Sequence, residues 1–206
     1  MRYYSTARAY SRVTVVCILK ELSLKMTNEI DNQEALYNIG DAVMYRRYGV
    51  CRVIAIENQS FGDTQMLYFS LEPVFAAKTK FFVPSNIAQD LSMVRPVFTK
   101  VELEKLIEKV NTTELSWEND TKQRIAHFEE IVQKGTAEAI TSLFKLLISH
   151  KKDQKEMGKT FLDVDKRVLF TVERLVTDEF AFVYDLDKNK ALEFVLRQFG
   201  LNEDNQ

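Results

Sequence analysis

The pattern of hydrophobic and polar positions changes its period near residue 97. From residue 36 onward, apolar positions alternate with polar ones in short runs separated by turn signals such as Tyr48-Gly49, a pattern typical of β-strands. We predict strands at 42–47, 50–57, 65–72 and 78–83, with room for a fifth. Because the second of these has apolar residues on both faces, we expect a small closed SH3-like or Tudor-like β-barrel.

Beyond residue 98 the apolar positions recur with the helical period of about 3.6. Thr99 and Glu102 have the spacing of a capping box, Gly135 is predicted to end one helix, and Thr136 to cap the next. We predict five helices at about 100–110, 117–134, 137–150, 163–183 and 188–199, with a solvated loop at 151–159. The expected fold is therefore multidomain, with the barrel (36–97) followed by an all-α compact helical bundle (98–206).

The first 35 residues do not fit either domain. Residues 1–25 hold five Lys or Arg and one acidic residue around a short apolar run at 13–19. This run is too short for a membrane span, which needs about 20 apolar residues, and no small-residue cleavage site follows it. We predict a flexible leader at 1–35, no membrane association and a cytoplasmic protein, and we leave open whether 1–25 belong to the native chain.

Composition and spacing narrow the chemistry. The 206 residues are 46% hydrophobic and carry 28 cations against 30 anions, a formal net charge of -2 that argues against coating of nucleic acid. The closest glycines are nine positions apart, which excludes the glycine-rich phosphate loops. Two cysteines and two histidines do not make a structural zinc site. We therefore predict no catalytic residue, no metal, no cofactor and no small-molecule substrate.

The β domain contains a recognisable series of residues. It begins Tyr37-Asn38-Ile39-Gly40-Asp41-Ala42-Val43-Met44-Tyr45 and continues Tyr48-Gly49-Val50-Cys51-Arg52-Val53-Ile54-Ala55-Ile56-Glu57. Val83-Pro84-Ser85-Asn86 and Val94-Arg95-Pro96-Val97 follow at suitable distances. The series resembles the CarD family, also called CdnL, whose domain is shared with transcription-repair coupling factors. The resemblance implies a Tudor-like barrel that docks on the β subunit of bacterial RNA polymerase.

The same resemblance suggests where the polymerase would bind. Relatives have arginines at the positions of Gln59 and Phe82, so a contact made there would be more apolar in this chain or would move to Lys78 or Lys80. We predict docking along the edge from Lys78 to Phe82, because a free strand edge can pair with a strand of a partner. Gln59, Lys78, Lys80 and Phe82 are thus the candidate polymerase-binding residues.

The helical half resembles the family's C-terminal domain, in which a tryptophan begins the first long helix. The matching residues are Trp117, Lys122, Arg124, Phe128, Ile131, Gly135, Glu138 and Leu143. In the family this tryptophan wedges into the upstream edge of the promoter bubble, where an apolar side chain fits a partly unstacked step of the minor groove. Trp117 is therefore the candidate wedge, and Lys122 and Arg124 are candidate phosphate contacts. The other reading is that Trp117 packs the linker onto the bundle.

We expect a bacterial transcription regulator that binds the polymerase β subunit and stabilises the open complex through weak, polymerase-dependent contact with promoter DNA. A protein-binding adaptor with a Tudor-like barrel and no direct DNA contact is the alternative. It stays open because Gln59, Phe82, Asn119 and Asp120 stand where relatives have arginines.

Overall fold

The structure is a computed structural model, and it describes residues 36–61, 64–76 and 79–201. The predicted leader at 1–35 lies outside these residues. The strands are β1 (Ala42–Tyr45), β2 (Gly49–Phe61), β3 (Thr64–Pro73), β4 (Phe81–Pro84) and β5 (Val94–Pro96), with a 3₁₀ turn at Arg46–Tyr48. The helices are α1 (Ser85–Ala88), α2 (Lys100–Thr112), α3 (Thr121–Lys134), α4 (Ala137–Glu156), α5 (Asp163–Tyr184) and α6 (Lys188–Gln198).

The five strands form one antiparallel sheet in the order β4-β3-β2-β1-β5. Its centre is the long β2–β3 hairpin, in which a shift of register between Val53 and Ala55 bends the strands. Within the described ranges no ladder joins β4 to β5. The closed barrel expected from the sequence is therefore not observed, and the sheet keeps two edges.

Alternate residues of the strands build the core of the sheet, as the period of two predicts. Val43, Cys51, Val53, Phe69, Leu71 and Val83 are buried together. Gly40 and Gly49 have φ values of 98° and 88°, which L-residues with a side chain rarely adopt. Both glycines are therefore required by the turns at either end of β1, as their spacing suggested.

The helical half has its own core, and its helix caps are the ones that the sequence predicts. Thr99 and Glu102 form the capping box of α2, and the Thr136 hydroxyl accepts a hydrogen bond from the Ala139 amide at the start of α4. Large apolar side chains from α2 to α6 pack around Phe144, which is fully buried. The predicted five-helix organisation of residues 98–201 matches these elements.

Two predicted features of the helices are wrong, and a third is confirmed with a different geometry. α3 begins at Thr121 rather than at Trp117, because the Asp120 carboxylate accepts a hydrogen bond from the Gln123 amide and caps the helix there. α4 continues through most of the predicted loop to Glu156, since Lys, Gln and Glu are good helix formers that need no buried face. Gly135 ends α3 as predicted, but with φ -68°, so it does not adopt the left-handed conformation usual for a terminal glycine.

The sheet and the helices form one compact unit that begins at Leu36. Met44 and Val50, on the outer face of the sheet, are buried against Leu175 of α5. Beside them Arg95 makes two hydrogen bonds of 2.7 Å to the Glu179 carboxylate. α5 thus covers the outer face of β1 and β2 at Met44 and Val50. Within the described part of the chain, no helix has the length and apolar character needed to cross a membrane.

Candidate protein and nucleic-acid interfaces

The edge strand β4 carries an exposed aromatic side chain. β4 pairs with β3 alone in the part of the chain that the structure describes, and the register places Phe82 opposite Ser70. Phe82 is 57% exposed, although a phenylalanine in a strand is ordinarily buried. The strand therefore presents both an open row of backbone groups and an apolar side chain to solvent.

The neighbours of Phe82 in β4 show why this side chain faces outward. Val83 is buried in the core of the sheet, and the Phe81 ring contacts the rings of Tyr45 and Tyr48 at 5.4 and 4.4 Å between centroids. Because successive side chains of a strand point to opposite faces, packing Phe81 and Val83 inward leaves Phe82 outside.

Gln59 lies on the same face of the sheet as Phe82. Phe82 is opposite Ser70, and Ser70 is opposite Ala55 on β2. Gln59 follows Ala55 by four residues, which preserves the face in a strand. The structure thus places Gln59, which is half-buried, and Phe82 on one surface, with the single strand β3 between them and about 13 Å of separation along the strand.

The two lysines of the predicted edge have different outcomes. Lys78 lies outside the described residues. Lys80 is exposed, but it precedes β4, which begins at Phe81 rather than at Lys78 as predicted. Lys80 is therefore a charge at the entrance of the edge strand and not a member of its ladder.

Trp117 lies in the segment 113–120 that joins α2 to α3, and it packs against the bundle. Its ring stacks on the imidazole of His150 with 3.5 Å between centroids, and it meets the edge of the Phe128 ring at 5.9 Å. Trp117 is half-buried by these contacts. The packing role that the sequence left open is therefore present, and part of the indole still reaches solvent.

Arg124 is 2% exposed and is held inside the protein. Its guanidinium makes two hydrogen bonds of 3.1 Å to Asp165 and one of 2.9 Å to the Glu118 carbonyl oxygen. It also lies 4.6 Å from the centre of the Trp117 ring. The prediction that Arg124 is available to a DNA phosphate therefore does not fit the structure, since every side of this group already faces a partner within the protein.

Asp165 is a residue of this site that the sequence did not reveal. It is 1% exposed at the first turn of α5. No periodicity could reveal this, because Arg124 comes from a helix 41 positions earlier in the chain. The ion pair joins α3 to α5 directly beneath Trp117.

Lys122 is the exposed cation of the predicted DNA contacts. It stands in the first turn of α3, five residues after Trp117, and it is exposed. A helix N-terminus carries partial positive charge from its free amide groups, which adds to the charge of Lys122. Asp120 at the cap offsets part of this field.

His150, which stacks on Trp117, titrates at a pH that its surroundings shift. Burial lowers the pKa of His150 below its usual value of 6.5, and Arg124 adds to this, while Asp153 and Asp165 act against it. The imidazole stacked on Trp117 is therefore neutral at pH 7. Within the described ranges, no three acidic, cysteine or histidine side chains are grouped to hold a metal ion.

Comparison with known proteins finds a family match for the β domain of this structure. Residues 37–97 match the sequence model of the CarD-like/TRCF RID domain. The matched range runs from the first buried residue before β1 to the end of the strand ladder and contains Gln59, Lys80 and Phe82. Trp117, Lys122 and Arg124 lie beyond it. No curated protein matches the chain.

Proposed function

We propose that this chain, whose residues 37–97 belong to the CarD-like/TRCF RID domain family, is a transcription regulator that binds the β subunit of RNA polymerase and stabilises the promoter open complex. The observation that carries the proposal is the family match, which covers the whole sheet. It concerns an interaction domain, so the proposal includes no catalytic activity. The site of action is the bacterial cytoplasm, where RNA polymerase works.

The exposed edge of β4 is the proposed polymerase-binding surface. A strand of the β subunit would add to β4 through backbone hydrogen bonds, and Phe82 would supply an apolar contact that gives specificity. Where relatives have an arginine, this chain has Phe82 with a 57% exposed ring. The contact is therefore expected to depend on burial of apolar surface and to change little with salt.

The proposed DNA contact involves Trp117 and Lys122. The exposed part of the Trp117 indole would pack against the bubble edge, and Lys122 would meet a phosphate. One exposed cation gives weak affinity, and the formal net charge of -2 adds no general attraction. Polymerase binding would supply the missing affinity, because a tethered site acts at a high effective concentration.

Replacement of Phe82 tests the polymerase contact. We expect Phe82→Ser to weaken binding to the isolated β subunit at least about tenfold, since a buried phenylalanine contributes roughly 1.5–3 kcal/mol. Binding is measured by biolayer interferometry with the full chain. The matched control is Phe170→Ser, which removes a 71% exposed phenylalanine from α5. Equal affinity for the Phe82→Ser variant and the unsubstituted protein would contradict the β4 site.

Replacement of Lys122 tests the DNA contact without disturbing the Trp117 stack. We expect Lys122→Glu to retain β-subunit binding, to shorten the open-complex lifetime and to reduce the salt dependence of DNA association by about one ion. Lys105→Glu, an exposed lysine of α2, is the matched control. Trp117→Ala should shorten the lifetime further. Unchanged lifetimes for both variants would exclude the DNA contact.

The adaptor without DNA contact is the second candidate, and two observations favour it. Arg124 is committed to Asp165, and Trp117 is stacked on His150. Under this alternative, Trp117→Ala lowers the free energy of unfolding but leaves the open-complex lifetime unchanged at temperatures where the variant is folded. Measuring unfolding and lifetime on the same variant therefore separates the two candidates.

A further inference from the structure

A cavity of about 390 Å³ lies where the sheet meets the helices. Its walls come from β1 and β5, from the loop before β5, and from helices α2 to α5. Binding sites for small molecules range from about 300 to 1,000 Å³ and often occur where two structural units meet. The cavity is therefore large enough for a small organic molecule, and it is distinct from both proposed interfaces.

The floor of the cavity is apolar and its mouth is open. Met44, Leu175 and Phe180 are buried and close its inner end. Gln133 and Lys134, both exposed, lie at its rim. A ligand would thus enter from the rim and place an apolar part against the floor.

Arg46 is the polar group that the fold leaves unsatisfied in this cavity. Its Nε atom is buried and has no hydrogen-bond partner among the described residues. Arg46 has φ 36°, a conformation that costs an arginine free energy, and its amide is fixed by a hydrogen bond of 2.9 Å to the Met93 carbonyl oxygen. A buried guanidinium donor without a partner costs free energy, which an acceptor supplied by a ligand would recover.

The charges around the cavity favour an anion. Arg46, Arg95 and Lys134 line it, whereas Glu179 is its acidic member. Glu179 is already occupied by its two hydrogen bonds from Arg95. The amino end of α4 adds positive potential, and the carboxyl end of α3 and the nearby exposed Asp90 oppose it. The excess of charged side chains is positive, and Nε of Arg46 is the buried donor among them that has no hydrogen-bond partner in the described residues.

We propose that this cavity binds a small amphipathic carboxylate, with the carboxylate on Arg46 and an unbranched or aromatic apolar body against Met44, Leu175 and Phe180. A neutral apolar molecule would leave Nε of Arg46 unpaired, and a cation would be repelled by it. Arginine binds a carboxylate through two parallel hydrogen bonds, which gives this anion its advantage.

The apolar body of the bound molecule would contact Met44 of the sheet and Leu175 and Phe180 of the helices. It would thereby stabilise the junction of the two halves, since a ligand that binds only the folded protein raises its stability by RT ln(1 + [L]/Kd). The proposal is independent of polymerase binding, because the cavity lies on residues of neither β4 nor the Trp117 segment.

The first test compares octanoate with 1-octanol on the full chain. Methionines carrying ¹³C-labelled methyl groups report binding by NMR, since Met44 and Met93 line the cavity and Met157 is exposed elsewhere. We expect octanoate to shift the Met44 and Met93 signals saturably, to leave the Met157 signal unchanged, and to bind roughly tenfold or more tightly than 1-octanol. Equal binding of the two molecules, equal shifts at Met157, or no saturable shift would overturn the proposal.

The second test uses variants and calorimetry. Arg46→Met should reduce octanoate affinity to that of 1-octanol, and Ile140→Trp, which fills the cavity, should abolish binding of both. Arg47→Met is the matched control, because Arg47 is exposed and does not line the cavity. If Arg46→Met binds octanoate as the unsubstituted protein does, the assignment of the carboxylate to Arg46 is wrong. Should Arg46→Met fail to fold, the comparison of octanoate with 1-octanol decides.

Discussion

The Arg124–Asp165 ion pair joins α3 to α5 and also supports the Trp117 segment. Arg124 also donates a hydrogen bond to the Glu118 carbonyl oxygen and lies over the Trp117 ring. One buried guanidinium thus fixes the backbone on which the tryptophan stands and supports its ring. At the scale of single residues, the buried guanidinium of Arg124 therefore sets the orientation of Trp117.

Breaking this pair from one side should be costly. Asp165→Leu leaves the Arg124 charge buried without a counter-ion, and we expect a loss of about 3–5 kcal/mol in the free energy of unfolding. The double variant Arg124→Met/Asp165→Leu should recover much of this loss, because no charge stays buried. Urea unfolding measures both variants. A double variant no more stable than Asp165→Leu would show that the pair is not the source of the loss.

The control for this cycle lies two residues earlier on α5. Asp163 forms an ion pair with Lys166, and both side chains are largely exposed. Asp163→Ala should therefore leave the unfolding midpoint nearly unchanged, since exposed ion pairs contribute little.

The Trp117–His150 stack should make tryptophan fluorescence sensitive to pH. The sequence contains one tryptophan and two histidines, so the signal is simple to assign. Burial lowers the pKa of His150, so its imidazole protonates in the folded protein only below about 6.5. The unfolded chain then binds the proton more readily, and stability present above pH 6.5 is lost as the pH falls toward the folded value.

We expect Trp117 fluorescence to titrate with a midpoint below that of free histidine, and the unfolding midpoint in urea to fall over the same range. His150→Gln should remove the fluorescence step, whereas His127→Gln, an exposed position on α3, should keep it. A step that persists in His150→Gln would assign the titration to another group.

The junction of α3 and α4 depends on Gly135 for a reason of space. An added Cβ at this position would collide with the carbonyl oxygen of Ile131, the residue whose carbonyl accepts the Gly135 amide hydrogen bond. We predict that Gly135→Ala lowers the free energy of unfolding by about 1–3 kcal/mol, because the turn must open to accept the methyl group. Thermal and urea unfolding both measure this effect.

Gly158, which follows the end of α4, provides a second glycine with which the Gly135→Ala substitution can be compared. It has φ +65° and no atom near its missing Cβ, so Gly158→Ala incurs conformational strain alone, about 1–2 kcal/mol. If Gly135→Ala lowers the free energy of unfolding less than Gly158→Ala does, the clash predicted at Gly135 is relieved by an easy separation of α3 from α4.

The existence and type of most elements could be predicted from the sequence, but several boundaries could not. Thr99 and Thr136 cap the helices that their spacing indicated, because a cap is a local interaction. The start of α3 was predicted too early, at Trp117. The Asp120 carboxylate accepts a hydrogen bond from the Gln123 amide and caps the helix there, which the hydrophobic pattern does not show. The open sheet was likewise unpredictable, because closure depends on pairing between the most distant strands.

The sheet and the helices are expected to unfold together because buried contacts join them. Glu179 accepts hydrogen bonds from Arg95 and from the Phe98 amide, and it is 4% exposed. We predict that Glu179→Ala leaves Arg95 unpaired in this interface and makes the sheet open before the helices unfold.

Two reporters follow the two halves. Cys51 is buried in the sheet, and burial raises the pKa of its thiol to about 12, so it reacts with a thiol reagent only when the sheet opens. Trp117 fluorescence follows the helices. In a Cys17→Ser background, urea transitions from the two probes should coincide for the unsubstituted sequence and separate for Glu179→Ala. Coincident transitions in the variant would mean that Met44, Val50 and Leu175 suffice to couple the halves.

The exposure of a candidate interface residue could be predicted where it follows from the alternation of side chains along a strand. It could not be predicted where it depends on tertiary contacts. Phe82 faces outward because Phe81 and Val83 face inward, which the period of two contains. Arg124 and Lys122 look equivalent in the sequence, yet one is buried and the other exposed, since only the fold brings Asp165 to Arg124. The cavity beside Arg46 had no signal in the sequence, because elements from both halves enclose it.

Arg174 of α5 also joins the helices to the sheet, and its contacts predict a different pattern of sequence variation from those of Arg95 and Glu179. It donates hydrogen bonds to the backbone carbonyl oxygens of Arg47 and Tyr48, 2.5 and 3.1 Å away, and so recognises the path of the turn rather than its side chains. Among descendants of a common ancestor, the exposed side chain at position 47 is thus free to drift while Arg174 is retained, whereas Tyr48 is also held by its ring contact with Phe81. Arg95 and Glu179, which bond through their side chains, should instead be exchanged or lost as a pair.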